Sequence, residues 1–307
     1  MTGLDVLIAD YLRLRRALGY QLVEHERFLS QFLDYLDQAN AATITVEHAL
    51  TWARLPAGVS PRWHAARLSA VRGFAAWAHT IDPAVQVPPA GLLPLRTSRA
   101  TPYLYSADQI RALIAAAAGL APPLKAATFQ TLIALLTVTG MRVGEALRAD
   151  VTDLDLNAGA LIVHGSKYGK SRRLPLHPTS TDALRGYLRL RAESAASTPA
   201  LLVSTAGSRL TYSNVQRTFT KLTARAQIAP RSPACRPRLH DFRHTFAVNT
   251  LLTAYQTDAD PAARLPLLST YLGHTEPANT YWYLQAAPEL LALAADRLDR
   301  DCAAGTP

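Results

Sequence analysis

The sequence predicts a mainly α-helical protein of two domains, the second of which carries a small β-hairpin. Three observations lead there. Apolar residues recur at three- and four-residue steps along most of the chain, the period of helices with one buried face. A proline-rich stretch over residues 82–102 interrupts that pattern. Two short β-prone runs, Leu161-Ile162-Val163 and Arg172-Arg173-Leu174-Pro175-Leu176, flank a glycine-containing turn. At 307 residues, 49% of them hydrophobic, the chain can bury two cores.

Residues 4–37 read as helical, with Tyr11, Leu14, Leu18 and Leu22 in step and Phe28, Phe32, Tyr35 and Leu36 continuing the pattern. Residues 60–79 form another helix, with Trp63, Ala66, Ala70, Phe74 and Trp77 on one face. Pro83, Pro88, Pro89, Pro94 and Pro102 then exclude a helix, so residues 83–104 are expected to be an extended basic linker carrying Arg96 and Arg99. This sets an N-terminal helical domain over 1–82 and a second domain over 105–307. Ser106 and Gln109 fit a capping box that starts the second domain. Helices are expected over 124–138, 142–148, 179–193, 211–227, 240–254, 264–272 and 277–285. A final helix over 288–299 has Leu290, Leu291, Ala294 and Leu298 on one stripe. No internal repeat is visible, and the alanine-rich patch at 115–118 suits a helix.

The net charge is +9 and the pI about 9.8, which points to an anionic partner. No basic amphipathic segment dominates, so nucleic acid is favoured over a membrane surface. The first residues lack the pattern of a secretion signal and no apolar stretch reaches membrane-spanning length, so a cytoplasmic protein is expected. Cys235 and Cys302 lie far apart without metal-ligand spacing, which suits a reducing compartment. Between His48 and Ile81 stand Arg54, Arg62, Arg67 and Arg72 with no acid, a solvated face or a DNA-facing one. The candidates for contact with the DNA backbone are Arg62, Arg67, Arg72, Arg96, Arg99, Arg172 and Arg173.

Only four residues are lysine, and two of them, Lys167 and Lys170, share the turn at 166–170. Lysine can release a proton near neutral pH when its pKa is depressed, whereas arginine cannot. Cutting a phosphodiester without a metal needs such a group. It also needs fixed guanidiniums for the charge on the non-bridging oxygens and a nucleophile that leaves a stable ester. Arg142, Arg243, Tyr283, Lys167 and His240 supply these types. His240 and Arg243 are three apart and share a helix face. Each alone is unremarkable: an isolated arginine at a helix start is usually a surface charge, and His-x-x-Arg is common. Tyr283 has Tyr281 as a near neighbour, and two helical residues diverge by roughly 200°, so only one of them can face a given phosphate.

Taken together and in order, these segments resemble the tyrosine recombinase (phage integrase) family over roughly residues 105–290. Thr139-Gly140-Met141-Arg142-Val143-Gly144-Glu145-Ala146-Leu147 is similar to the family's first arginine box. Lys167 followed by Arg173-Leu174-Pro175-Leu176 resembles its catalytic-lysine turn. Leu239-His240-Asp241-Phe242-Arg243-His244-Thr245-Phe246-Ala247 resembles the His-x-x-Arg-His box. Leu272-Gly273-His274, with a tyrosine nine residues on, resembles the third box and its nucleophile. Two departures keep alternatives open. Gln256–Pro261 looks inserted, and the segment 277–283 is unusually aromatic, so Tyr281 stands beside Tyr283 and Lys170 beside Lys167.

The resemblance implies two domains clamping duplex DNA as a C, a helical core-binding domain and a mixed α/β catalytic domain. It implies a 3′-phosphotyrosyl intermediate formed by Tyr283. Arg142 and Arg243 would then hold the phosphate, Lys167 protonate the leaving oxygen, His240 assist proton transfer, His274 hydrogen-bond the phosphate and Glu145 orient Arg142. Neither metal, ATP nor another cofactor is expected. Helix 288–299 would dock on a neighbour to make a homo-tetramer on DNA. Integration, excision and transposition of a mobile element share this chemistry. Its rivals are a type IB topoisomerase and a non-catalytic DNA-binding accessory protein.

Overall fold

A computed structural model describes residues 3–93, 101–165, 171–194, 197–257, 261–273 and 295. The chain divides into two units, Met1–Arg99 and Ala100–Pro307.

The first unit holds helices α1 (Gly3–Ala17), α2 (Val23–Gln38), α3 (Val46–Arg54) and α4 (Pro61–Ala78). The single helical run expected over 4–37 is broken. Gly19 at φ 89° and Leu22 at φ 51° turn the chain through left-handed backbone, and the amides of Gly19 and Tyr20 close the first helix on Arg16 and Arg15. Helix α3 was not anticipated, because nine residues give barely two apolar repeats. It is started by Thr45, whose hydroxyl accepts from the His48 amide at 3.1 Å. Leu29, Phe32, Leu36, Ile44, Trp52 and Phe74 form the buried centre. The proline-rich stretch begins as part of this unit rather than as free linker. Val85 is buried in its core, and Gln86 bonds to Ile44 and Val46 on both its backbone and its side chain.

The second unit opens with Tyr103 and Tyr105, both buried, so it begins inside the expected linker. The capping box forms: the Ser106 hydroxyl accepts from the Gln109 amide, and the Gln109 side chain accepts from the Ser106 amide. Helices α5 (Ala107–Ala118), α6 (Pro123–Thr139) and α7 (Val143–Arg148) follow. Then comes an antiparallel sheet in the order β1 (Leu154–Asp155), β2 (Ala160–Val163), β3 (Arg172–Pro175). Leu161 pairs with Leu174 and Val163 with Arg172, which puts Leu161, Val163 and Leu174 into the core. Helices α8 (Pro178–Ala192), α9 (Tyr212–Arg225), α10 (Asp241–Gln256) and α11 (Pro261–Leu272) complete the unit. Helix α6 is apolar all round because neighbours cover it on several sides, α5, α8 and α10 among them. Phe242 of α10 stacks on Tyr105 with centroids 4.6 Å apart, and Leu251, Leu268 and Leu272 join α10 to α11. The helix expected over 277–285 lies outside the described residues, as does that over 288–299 except for Ala295, which is helical. The fold is thus mainly α with one small sheet. Among the described residues no helix is long and apolar enough to cross a membrane.

Candidate active site

Helix α6 stops at Gly140, whose left-handed backbone (φ 58°, ψ 15°) lets its amide cap Leu136 at 3.1 Å. A side chain here is excluded twice over. The backbone conformation disfavours it, and a Cβ would lie 2.5 Å from Cδ1 of Phe246. The chain passes through buried Met141 and reaches Arg142 in extended conformation at the start of α7. One turn on, Glu145 reaches back. Its Oε2 accepts from the Arg142 amide at 2.8 Å and its Oε1 from Nη1 of Arg142 at 2.9 Å.

Glu145 is only 4% exposed and serves a second arginine. Nη1 and Nη2 of Arg172, on β3, donate to Oε1 and Oε2 at 3.1 and 2.7 Å, a fork-on-fork pair. Burial alone would push this carboxyl up. The Arg172 hydrogen bonds, the Arg142 amide, the Arg172 charge and the Arg142 side-chain hydrogen bond outweigh it and hold the pKa at about 2. The Arg172 guanidinium also lies beside Gly273, where a Cβ would stand 3.2 Å from Nη1.

The start of α10 is set by Asp241, which is fully buried and takes three hydrogen bonds from Arg238. The Asp241 carbonyl accepts from Thr245, whose hydroxyl accepts from the Tyr105 amide. This seats Arg243, 1% exposed, with Nη1 on the Gly140 carbonyl at 3.0 Å and Nη2 on the Leu272 carbonyl at 2.6 Å. One side chain therefore joins the turn before Arg142 to the residue that leads, through Gly273, to His274. The His240 ring stands perpendicular to that of His244, with centroids 4.8 Å apart. One edge of His240 stays open to solvent. The protein around the rest of the ring, with the charges of Arg243, Arg142 and Arg238, brings its pKa down to about 4 against the pull of Glu145. It is neutral at physiological pH, able to accept a proton as well as to donate one.

The fold thus gathers Arg142, Glu145, His240 and Arg243 with the end of α11. Lys167, Lys170, His274, Tyr281 and Tyr283 lie outside the described residues, as do Arg96 and Arg99. Of the arginines expected on a DNA-facing surface, Arg62 and Arg173 are exposed and Arg72 is half-buried, bonded to Ser69. Arg67 departs from that expectation. It is 6% exposed, its guanidinium lies 3.6 Å from the Trp52 ring centroid, and it donates to the Trp52 carbonyl and the Gln31 side chain. The Trp52 face and two acceptors hold its terminal nitrogens inside the first unit, while its buried Nε has no hydrogen-bond partner. Arg172 departs as well, since its guanidinium faces the buried Glu145 carboxylate rather than solvent. The alternation along β3 was the available signal: Arg172 shares a face with buried Leu174, whereas Arg173 points the other way. Arg209 was also missed. Its Nη1 donates to the carbonyls of Leu147 and Arg148 at 2.9 and 2.8 Å, closing the end of α7, and its Nη2 pairs with Asp150.

Residues 104–289 match the sequence profile of the phage integrase family. The Sinorhizobium fredii protein y4rB, named among integrases and recombinases, is 42% identical over 303 residues, which covers 95% of this chain and 96% of that one. The tyrosine recombinase XerC of Azotobacter vinelandii is 31% identical over 240 residues, 78% of this chain and 75% of its own. Among solved structures, the Tn1549 transposon integrase in complex with transposon right end DNA has the same fold. Its TM-score is 0.64 over 98% of this chain and 99% of that one, at 18% identity.

Proposed function

The chain belongs to the phage integrase family of tyrosine recombinases, and on that premise we propose that it is a site-specific DNA strand transferase acting through a 3′-phosphotyrosyl bond. The observation that carries the reading is the single cluster of Arg142, His240 and Arg243, with Arg243 tied to both Gly140 and Leu272. Two guanidiniums on a rigid frame suit the non-bridging oxygens of one phosphate, whose charge grows as the nucleophile attacks.

In this mechanism the Tyr283 oxygen attacks phosphorus and its proton passes to His240, which is neutral and can take it. The bond from phosphorus to the 5′-oxygen breaks, and Lys167 gives that oxygen a proton. His274 hydrogen-bonds the phosphate. A 5′-hydroxyl from a second duplex then reverses the step and frees the tyrosine. The ester conserves the energy of the phosphodiester, so neither ATP nor a metal is needed. The substrate is double-stranded DNA at specific sites, held with the help of Arg62, Arg72, Arg96, Arg99 and Arg173, and helix 288–299 links four copies on two sites. The likeness to a transposon integrase favours integration, excision or transposition of a mobile element as the setting.

The test is to trap the intermediate. The protein is incubated in EDTA with a nicked suicide duplex carrying a site selected by binding, then run on a denaturing gel. An adduct that is lost in Tyr283→Phe and kept in Tyr281→Phe supports the reading. Loss only in Tyr281→Phe moves the nucleophile by two residues. No adduct on a duplex that the protein binds leaves DNA binding without strand transfer.

A further inference from the structure

The fork of Arg172 on Glu145 has a geometry that a surface arginine would not need. Each carboxylate oxygen is shared. Oε1 accepts from Nη1 of Arg142 and Nη1 of Arg172, and Oε2 from the Arg142 amide and Nη2 of Arg172. Arg172 is 12% exposed on its side chain, against 31% for Arg142. Gly273 (φ 69°) lies beside it: a Cβ there would stand 3.2 Å from Nη1 of Arg172, so a side chain would crowd the guanidinium.

Resting on the function proposed above, we propose that Arg172 is a positioning residue of the strand-transfer site. Its guanidinium holds Glu145 in the one orientation that presents Arg142, and the same group sets the height of the Gly273 turn that leads to His274. Two physical effects follow. With Arg172 present, two positive charges share one carboxylate, which leaves a net positive charge for the phosphate. Without it, the whole charge of Glu145 falls to Arg142 and turns that guanidinium out of the angle that the reacting phosphate needs, while it still meets the phosphate of bound DNA. Lysine cannot replace Arg172, because a single ammonium cannot make two parallel bonds.

The test compares wild type, Arg172→Lys and Arg172→Met as full-length proteins. Lysine keeps the charge and methionine keeps much of the stem, and neither keeps the fork. Adduct formation is timed on the suicide duplex and on the same duplex with a neutral methylphosphonate at the scissile position. DNA affinity is measured across a salt series. On the diester, both variants should react on the order of 10- to 100-fold more slowly, the loss that a displaced reacting group brings. On the methylphosphonate, which lacks the ground-state charge of the diester, the ratio to wild type should move clearly towards one. The salt dependence should match wild type.

The inference is overturned if both variants cleave the diester at the wild-type rate, or if they lose equally on both substrates, as a loosened fold would. It is also overturned if the salt slope falls by about 0.9, the mark of one lost phosphate contact. A wild-type protein without a Tyr283-dependent adduct defeats the strand-transfer reading itself, and this inference with it. Normal wild-type trapping with unaffected variants defeats this inference alone.

Discussion

Replacing Gly140 by alanine should break the frame of the site at its tightest point. Alanine at φ 58° costs about 1–2 kcal/mol over glycine. The new methyl would also sit 2.5 and 2.8 Å from Cδ1 and Cγ of Phe246. That ring cannot step aside freely, because it stacks on Tyr271 at 5.5 Å. Overpacking of this kind costs about 1–3 kcal/mol. The expected loss is therefore about 2–5 kcal/mol. Native-state hydrogen exchange of the α10 amides reads it directly, since these amides belong to the packed core of the second unit. Gly144→Ala is the control. Its Cβ would meet Arg148 at an ordinary 3.5 Å within α7, so stability should rise by up to about 1 kcal/mol. Phe246→Ala should offset part of the Gly140→Ala loss, and the two changes should not add. A Gly140→Ala loss below about 1 kcal/mol, or strict additivity with Phe246→Ala, would refute the reasoning. Adduct formation should fall further than stability does, because the Gly140 carbonyl is an acceptor for Arg243.

Three more outcomes are expected. By NMR, His240 in the free protein should titrate near 4 and move upward when DNA brings a phosphate against Arg243 and Arg142. Its folded pKa lies below the unfolded value near 6.5, so the unfolded state binds the proton first and His240 lowers stability as pH falls from about 6.5 to about 4; an ordinary midpoint in the free protein would sink this. Glu145 has the acidic case: its contribution is complete above about 4.5 and is lost as pH falls towards about 2, on the order of 3 kcal/mol. Urea titrations of Glu145→Gln should show that loss at neutral pH and a flatter acid limb, and an unchanged acid limb would contradict it. Arg67→Met should destabilise the first unit by about 2–4 kcal/mol through the lost hydrogen bonds and ring contact and leave the salt dependence of DNA binding alone; a smaller salt slope would return Arg67 to the DNA surface.

Much of this protein is written in local pattern. Periodicity located α4, α6 and α8 to within a residue or two, and the Ser106–Gln109 box marked where the second unit's helices begin. Those signals survive because a helix face and a cap are set by residues three or four apart. The break between α1 and α2 escaped because its apolar period runs on through Leu18 and Leu22, while the turn depends on left-handed backbone at Gly19 and Leu22. Helix α3 escaped because it is too short to declare a period.

By itself, the sequence determined the family, through ordered boxes whose residue types phosphate chemistry demands, and the mainly helical architecture. Only the tertiary structure decided which arginine does what. Arg172 and Arg173 are neighbours of one type, and alternation says that they part; that Arg172 meets Glu145, 27 residues away, depends on how β3 packs beside α7. Arg243 reaches Gly140 and Leu272, 103 and 29 residues distant, and Arg67 finds the Trp52 ring. A guanidinium looks the same in sequence whether water, a carboxylate or an indole face will surround it. Its partner is chosen by the packing of segments remote in the chain, and that packing is settled only when the whole core closes.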